Sequence, residues 1–418
     1  LRSIPLENSS MVTGAETETG AVVWGAIALG LLLVQLPAVA ILLARLMQGP
    51  GRQQPLQPRD TTHDQLGSVS ILVPTLNEAA RLGPCLTGLG LQGYEVREIL
   101  VIDSDSTDGT PELVKAAGRQ DPRLRLLPDD PLPGDWVGRP WALHTGFRHS
   151  NEQSRWILGI DADTRPKAGL VSAAIAAAEA GGYDLVSFSP RFLLQTPGEL
   201  ILQPALLMTL VYRFGPAGSS IGGPTRTMAN GQCFLVRRDR LVDLGGYSSA
   251  RGSFCDDVTL ARAAAAQGMK VGFLDGGKLI EVRMYEGAAE TWKEWGRSLD
   301  LKDASPRAQT LGDCLFLLAV QGLPLPLVLL LFEPACASAS WLVTAAWGLN
   351  LALLLIRFAL NWAIAPSYNL SGAKLPWLFF LSPLADPLAA LRIGLSSVQT
   401  PTQWRGRSYS PAVPTNAG

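Results

Sequence analysis

Apolar positions are not spread evenly along this chain. They gather near its two ends and, in between, fall into short runs separated by polar turns. Residues 21–43 carry no charge, and these 23 residues, at about 1.5 Å of rise each, suffice to cross a hydrocarbon core of about 30 Å. No basic leader or small-residue cleavage site flanks them, so a transmembrane helix over 21–44 is the expectation rather than a signal peptide. Residues 314–332 and 334–356 are two more uncharged stretches, split by Glu333 and Pro334, and predict a helical hairpin. The stretch 375–391 carries Pro383, Asp386 and Pro387, so an interfacial or re-entrant element competes there with a true span. Residues 311–396 therefore predict a membrane domain of two or three hydrophobic helices. Residues 1–20 read as a flexible N-terminal stretch and 397–418 as a basic tail.

The middle is different. A polar, proline-bearing linker over 45–67 leads into 68–303, where short apolar runs alternate with helical patterns. Strands are predicted at 69–74, 99–102, 156–160 and 185–188. Helices are predicted at 78–91, at 110–117 with Pro111 in its first turn, and at 168–180. Such alternation indicates an α/β fold with a mostly parallel sheet and helices on both faces. Ligands in such sheets bind beyond the carboxyl ends of the strands. There is no internal repeat.

Composition narrows the function classes. Apolar residues make up 47% and charged residues 17%, which excludes a disordered chain and disfavours a fully soluble enzyme. A net charge of −1 implies no general attraction to nucleic acid. Five scattered cysteines and three histidines offer no zinc spacing and fit a reducing compartment. Arg45, Arg52 and Arg59 follow the first span, whereas Glu7, Glu16 and Glu18 against Arg2 precede it, so positive-inside counting places 68–303 in the cytoplasm. Arg392, Arg405 and Arg407 place the tail on the same side.

The candidate chemistry sits where the predicted strands finish. Asp103-Ser104-Asp105-Ser106-Thr107-Asp108-Gly109 follows the second strand, Asp161-Ala162-Asp163 the third, and Asp256-Asp257 precedes the helical run 258–266. Asp and Ser begin turns and cap helices, and Asp108-Gly109 alone is better read that way. Carboxylates two apart beyond a strand point the same way, however, and can share a hard divalent cation.

These motifs, in this order, resemble the inverting glycosyltransferases of family 2 with their GT-A fold, a Rossmann-like mixed sheet. Val69-Ser70-Ile71-Leu72-Val73-Pro74-Thr75-Leu76-Asn77-Glu78 is similar to their opening strand, Asp103 through Gly109 to their nucleotide-binding turn, and Asp161-Ala162-Asp163 to their metal-binding DxD. Phe254-Cys255-Asp256-Asp257 resembles their acidic catalytic motif, and Gly231-Gln232-Cys233-Phe234 the segment before it. The resemblance implies Pro74, Thr75, Glu78, Asp103, Arg139 and Asp161 as nucleotide-sugar contacts and Asp163 as the ligand of Mg²⁺ or Mn²⁺. It implies Asp257, with Asp256 beside it, as the general base. Arg139 lies in Gly138-Arg139-Pro140-Trp141-Ala142-Leu143, where the lipid-modifying branch carries Lys.

One departure concerns the Gln/Arg-x-x-Arg-Trp motif of many membrane members. Here Thr291-Trp292-Lys293-Glu294-Trp295 keeps only the final Trp, which argues against a processive synthase. Gln232, Arg283, Trp295 and Arg297 are the candidates for acceptor or diphosphate contacts; Trp292 and Trp295 read equally as interfacial anchors. The charge-free run 200–211 is expected to lie in the membrane interface, and the glycine-rich stretch 215–230 to be a mobile loop over an acceptor channel. The ending Gln403-Trp404-Arg405-Gly406-Arg407-Ser408-Tyr409 resembles that of carotenoid glycosyltransferases, including those acting on cyanobacterial xanthophylls. The expectation is transfer of a single sugar from a nucleotide-sugar donor to a hydroxyl of a membrane lipid or carotenoid. A ceramide- or hopanoid-type transferase and a non-catalytic membrane scaffold are the alternatives.

Overall fold

The computed structural model describes residues 9–408 apart from 130, 220–222, 296–298, 300, 338–339, 400–402 and 405–406. Helix α1 spans Ser9–Leu46, so helix extends well into the stretch expected to be flexible. The central region follows as β1 (Val69–Thr75), α2 (Ala79–Gly90), β2 (Val96–Asp103), α3 (Thr110–Gly118), β3 (Leu124–Pro128), α4 (Gly138–His149), β4 (Trp156–Ile160), β5 (Thr164–Pro166) and α5 (Leu170–Gly181). It continues through β6 (Leu185–Ser189), β7 (Arg191–Leu193), α6 (Pro197–Phe214), β8 (Cys233–Arg237), α7 (Arg238–Asp243), α8 (Asp256–Ala266), β9 (Val271–Asp275), β10 (Ile280–Val282) and the single turn α9 (Gly287–Glu290). The rest comprises α10 (Arg307–Leu317), α11 (Pro324–Leu330), α12 (Phe332–Ala337), α13 (Trp341–Ile364), β11 (Tyr368–Asn369), a 3₁₀ stretch Pro376–Ala385, α14 (Asp386–Val398), and β12 (Gln403–Trp404) paired with β13 (Arg407–Ser408).

Seven strands form one sheet in the order β3-β2-β1-β4-β8-β6-β9, parallel except for β8, which runs against both neighbours. From β1 the chain moves outward to β2 and β3, then returns to place β4 on the other side of β1. That reversal is a topological switch point, and the cleft beyond Thr75 and Ile160 is where such a sheet takes its ligand. The inner strands are buried on both faces, which is why β1, β2 and β4 read as unbroken apolar runs. A second sheet, β11-β7-β10-β5, joins the central region to the C-terminal helices.

Three described helical segments are long and apolar enough to cross a membrane: Val22–Gly51, Trp341–Ser367 and Pro376–Val398. A fourth, Arg307–Gly322 with Pro324–Leu330, is bent by 48° where Pro324 interrupts the ladder. Large side chains along them face outward, among them Val22, Leu33, Leu329, Leu355, Trp362 and Val398.

Two expectations need correction. The run 200–211 lies within α6, which is covered by protein rather than lying exposed on the surface. Its Ala205, Leu206, Met208 and Tyr212 join a core with α1, α10 and α14, and its flanking charges Glu199 and Arg213 are fully buried. Apolar periodicity looks the same in both settings, so only packing separates them. Trp295 is likewise no surface anchor: it is buried in that core between Phe192 and Tyr285. The linker, for its part, is laid along the sheet edge, where Leu56 N–H donates to the Asp275 carbonyl.

Candidate active site

At the switch point a cleft open to solvent is lined by Pro74, Thr75 and Glu78 from the β1 end and by Asp161 and Asp163 beyond β4. Gly138 and Arg139 at the N-terminus of α4 complete it. Thr75 stands in register with Asp103 across β1 and β2, and its hydroxyl donates to the Asp103 carboxylate at 3.1 Å. Asp103 also accepts from the Ser106 N–H and hydroxyl, at 2.9 and 2.6 Å, so this carboxylate shapes the turn behind the cavity, while its neighbour Ser104 lines it. Asp108 does the local turn duty expected of it by accepting from the Thr110 N–H at 3.1 Å, and it also accepts from the Ala79 N–H of α2 at 2.9 Å.

Arg139 is the hinge of the site. Its Nε donates to Asp161 Oδ1 at 3.0 Å, one terminal nitrogen to Asp256 Oδ2, and the other to the Gly231 carbonyl at 2.7 Å. A Cβ on Gly231 would stand 2.7 Å from that guanidinium, so any larger residue here would displace Arg139 from its place between the carboxylates. Burial opposes the charge of Arg139, yet Asp161, Asp256 and Asp257 outweigh it and hold the guanidinium above its ordinary range. Asp256 and Asp257 begin α8, where the helix dipole favours negative charge, and both line a small adjoining cavity with Phe234, Tyr247 and Leu260.

Burial pushes Asp256 up to about 7, and it pushes Asp163 up to about 7 with the help of its neighbour Asp161. Burial raises Asp257 too, against the restraint of Arg139. One oxygen of Asp163 is buried with no hydrogen-bond partner, an arrangement that costs stability unless something fills it. Among the described residues no three His, Cys, Asp or Glu side chains converge as a complete metal cage. Two carboxylates beside an anion-binding cavity nevertheless fit a Mg²⁺-like ion, which completes its sphere with phosphate oxygens and water.

Residues 70–245 match the family model for Glycosyl transferase family 2. That segment is therefore similar to the glycosyltransferases of family 2. Over 235 residues it is 24% identical to the 4,4'-diaponeurosporenoate glycosyltransferase of Staphylococcus haemolyticus, covering 56% of this chain and 61% of that protein. Over 126 residues it is 28% identical to the glycosyltransferase AglE of Haloferax volcanii, covering 30% of this chain and 40% of that one. The chain thus spans less than two thirds of the length of either curated relative. Among solved structures it resembles the mannosyltransferase PcManGT from Pyrobaculum calidifontis, crystallised with GDP-Man and Mn²⁺. That match has a TM-score of 0.51 and 17% identity, covering 90% of this chain and 99% of that one. The fold is of the GT-A type.

Within the central region most of the named candidates converge, and some do not. Gln232 sits beside Asp161, whose N–H donates to the Gln232 carbonyl at 3.1 Å; its buried side-chain amide has no hydrogen-bond partner. Arg283 is turned away from the donor cavity, lying 3.5 Å from Glu199 and 3.4 Å from Glu286. Glu199 is a buried carboxylate that an interfacial reading of α6 could not have anticipated. Trp295 is a core residue, and Arg297 lies outside the described residues. Of the stretch 215–230, Gly218 is tied to the Phe273 carbonyl at 2.7 Å and Arg226 to Asp313 at 2.8 Å, so its described parts are anchored. Arg81 went unnoticed in the sequence. Its guanidinium bridges the first turn of α2 to Glu290 at 3.1 Å and is felt by Asp163. A basic residue one turn past Asn77-Glu78 was the available signal.

Proposed function

We propose that this protein transfers a single sugar, with inversion, from a nucleotide-sugar to a hydroxyl of a lipid-soluble acceptor at the membrane. The observation that carries the reading is the Arg139 bridge, which joins Asp161 of the donor cavity to Asp256 beside Asp257. Donor and base are thereby contiguous. Pro74, Thr75 and Glu78 hold the nucleoside; Asp161 and Arg139 face its diphosphate, and Asp163 offers its unpartnered oxygen to the cation. A bound Mg²⁺ or Mn²⁺ supplies Lewis-acid stabilisation of the charge that develops on the leaving diphosphate. Asp257, made more basic by burial, takes the proton of the acceptor hydroxyl as its oxygen attacks the anomeric carbon. One in-line displacement inverts that carbon.

The acceptor class follows from what surrounds the base. Cys255 and Val258 on either side of the acidic pair pack against Phe214 of α6 and Leu301, next to the apolar helices. An acceptor resting in a bilayer reaches the base along this seam. The diaponeurosporenoate glycosyltransferase likeness supports a carotenoid-type acceptor, and the arginines after α1 support a cytoplasmic catalytic face.

The test is Asp257→Asn with donor binding and transfer measured separately. Transfer should fall by about 10²- to 10⁴-fold, the range of a lost general base, with donor affinity within about threefold of wild type. A variant that still transfers would remove Asp257 from the reaction. Mass spectrometry of pigments and lipids from cells with and without the protein identifies the acceptor; a one-sugar shift on a carotenoid is the expected outcome.

A further inference from the structure

Where α1 leaves the apolar layer, three guanidinium groups, Arg45, Arg226 and Arg262, gather around one described carboxylate. Two of them lie over a single ring: Arg226 and Arg262 stand 5.7 and 5.6 Å from the centroid of Phe214. Arg45, in the last turn of α1, donates to the Tyr212 carbonyl at 2.9 Å and stacks on Phe316 of α10. The acid is Asp313, which Arg226 engages through both oxygens at 2.8 and 3.0 Å. Asp303 on the neighbouring turn accepts instead from the Phe254 N–H.

Such an excess of positive charge in a desolvated place is costly without a counter-anion. Arg262 makes the point most sharply. It is buried, its Nε donates to the Thr227 carbonyl at 3.1 Å and its Nη1 to the Ala304 carbonyl and Ser305 hydroxyl, both at 2.7 Å, but Nη2 is buried with no partner. Burial and then Arg226 hold this guanidinium below its ordinary range. The cluster also stands at a defined level, at the foot of the Val22–Gly51 span and beside the start of the bent Arg307–Leu330 segment. Fixed cations at that level meet lipid phosphates.

The geometry points to a binding site for the phosphate of an anionic phospholipid, held by Arg45, Arg226 and Arg262 at the base of the apolar helices. Partly buried Arg45 and Arg226 would meet the phosphate from the bilayer side, and Arg262 would receive its innermost oxygen. Arg262 lies on α8, the helix that starts with Asp256 and Asp257, so an occupied site braces the element that carries the proposed base. The inference rests on the membrane placement of α1 but not on catalysis.

The experiment uses the full chain, purified in uncharged detergent, freed of lipid and assayed by native mass spectrometry with no sugar donor. The probes are dioleoyl-phosphatidylglycerol, dioleoyl-phosphatidylcholine and inorganic phosphate. Wild type should hold phosphatidylglycerol about tenfold or more tightly than phosphatidylcholine, with inorganic phosphate a poor competitor. The double variant Arg45→Gln/Arg226→Gln should lose that preference, Arg226→Lys should keep most of it, and Arg148→Gln on the exposed side of α4 should not change it. Equal binding of the two lipids by wild type, or an undiminished preference in the double variant, overturns the site. Effective competition by inorganic phosphate overturns the lipid assignment in favour of a soluble anion. Should the double variant not fold, the wild-type preference and the Arg226→Lys result decide. Carbonate extraction of membranes reports separately on the placement of α1.

Discussion

Two buried arginine–carboxylate clusters in this molecule are built to opposite ends. At the switch point of the sheet Arg139 is shared between Asp161 and Asp256, with Asp163 and Asp257 close by, so negative charge is in excess and one Asp163 oxygen is left bare. Among the apolar helices Arg357 of α13 lies 2.8 Å from Asp386 of α14, one to one. Asn361 and Ser382 accept from that guanidinium, and Gln321 donates to Asp386 at 3.2 Å. The first cluster is incomplete in a way a cation and a diphosphate would complete. The second is closed in charge, one guanidinium to one carboxylate, although Arg357 Nε and Gln321 Oε1 are buried without a hydrogen-bond partner, and its work is to join helices. It also answers the question posed by Asp386, whose cost in a hydrocarbon setting is met by a partner 29 positions earlier, just past the uncharged stretch.

Breaking the closed cluster should have the larger effect on stability. Arg357→Met leaves Asp386 buried without its partner and should destabilise the protein by about 3–5 kcal/mol, read as unfolding in detergent. The double variant Arg357→Met/Asp386→Leu should recover most of the loss. If the single variant is as stable as wild type, the pair does not hold these helices.

The open cluster should respond in function instead. Arg139→Gln removes the cation that restrains Asp257, so that carboxylate rises further and the acid limb of the kcat/KM profile moves to higher pH. Donor KM should rise about tenfold as the diphosphate loses its counter-charge. An unmoved acid limb would detach Arg139 from the base.

The smallest effect concerns protons. A cation binds ionised carboxylates, and Asp163 is pushed up to about 7, so Mn²⁺ affinity should fall below that pH by up to about tenfold per unit and level off above it. Titration calorimetry from about pH 6 to about pH 8 measures this, and a flat affinity would mean that Asp163 releases no proton to the metal. In the metal-free protein the same raised value favours the protonated folded form. That contribution is whole below the ordinary carboxylate range and is lost as pH rises through about 7.

The contrast between these clusters also measures what could be read in advance. Asp161-Ala162-Asp163 after β4 and the Pro74–Glu78 segment after β1 were legible because strand ends announce themselves locally, through an apolar run followed by acidic and small residues. Strand β8 was not. It enters the sheet antiparallel between β4 and β6, and only that reversal brings Gly231 and Gln232 beside Asp161. Arg139 was named only through its resemblance, since Gly138-Arg139 reaches the site through the way α4 packs on β1 and β2. Helix α6 was misassigned because an apolar run carries no record of which surface will cover it.

Local patterning alone decided the α/β class, the apolar helices near both ends and the acidic residues at the strand ends, because each depends on neighbours a few positions apart. Folding decided the rest. The pairing of Arg139 with Asp161 and Asp256, of Arg357 with Asp386, and of Arg226 with Asp313 joins residues 22 to 117 positions apart. Charge cannot be buried singly at low cost, so the chain had to find these partners in three dimensions, and the sheet order and helix packing determine which ones meet.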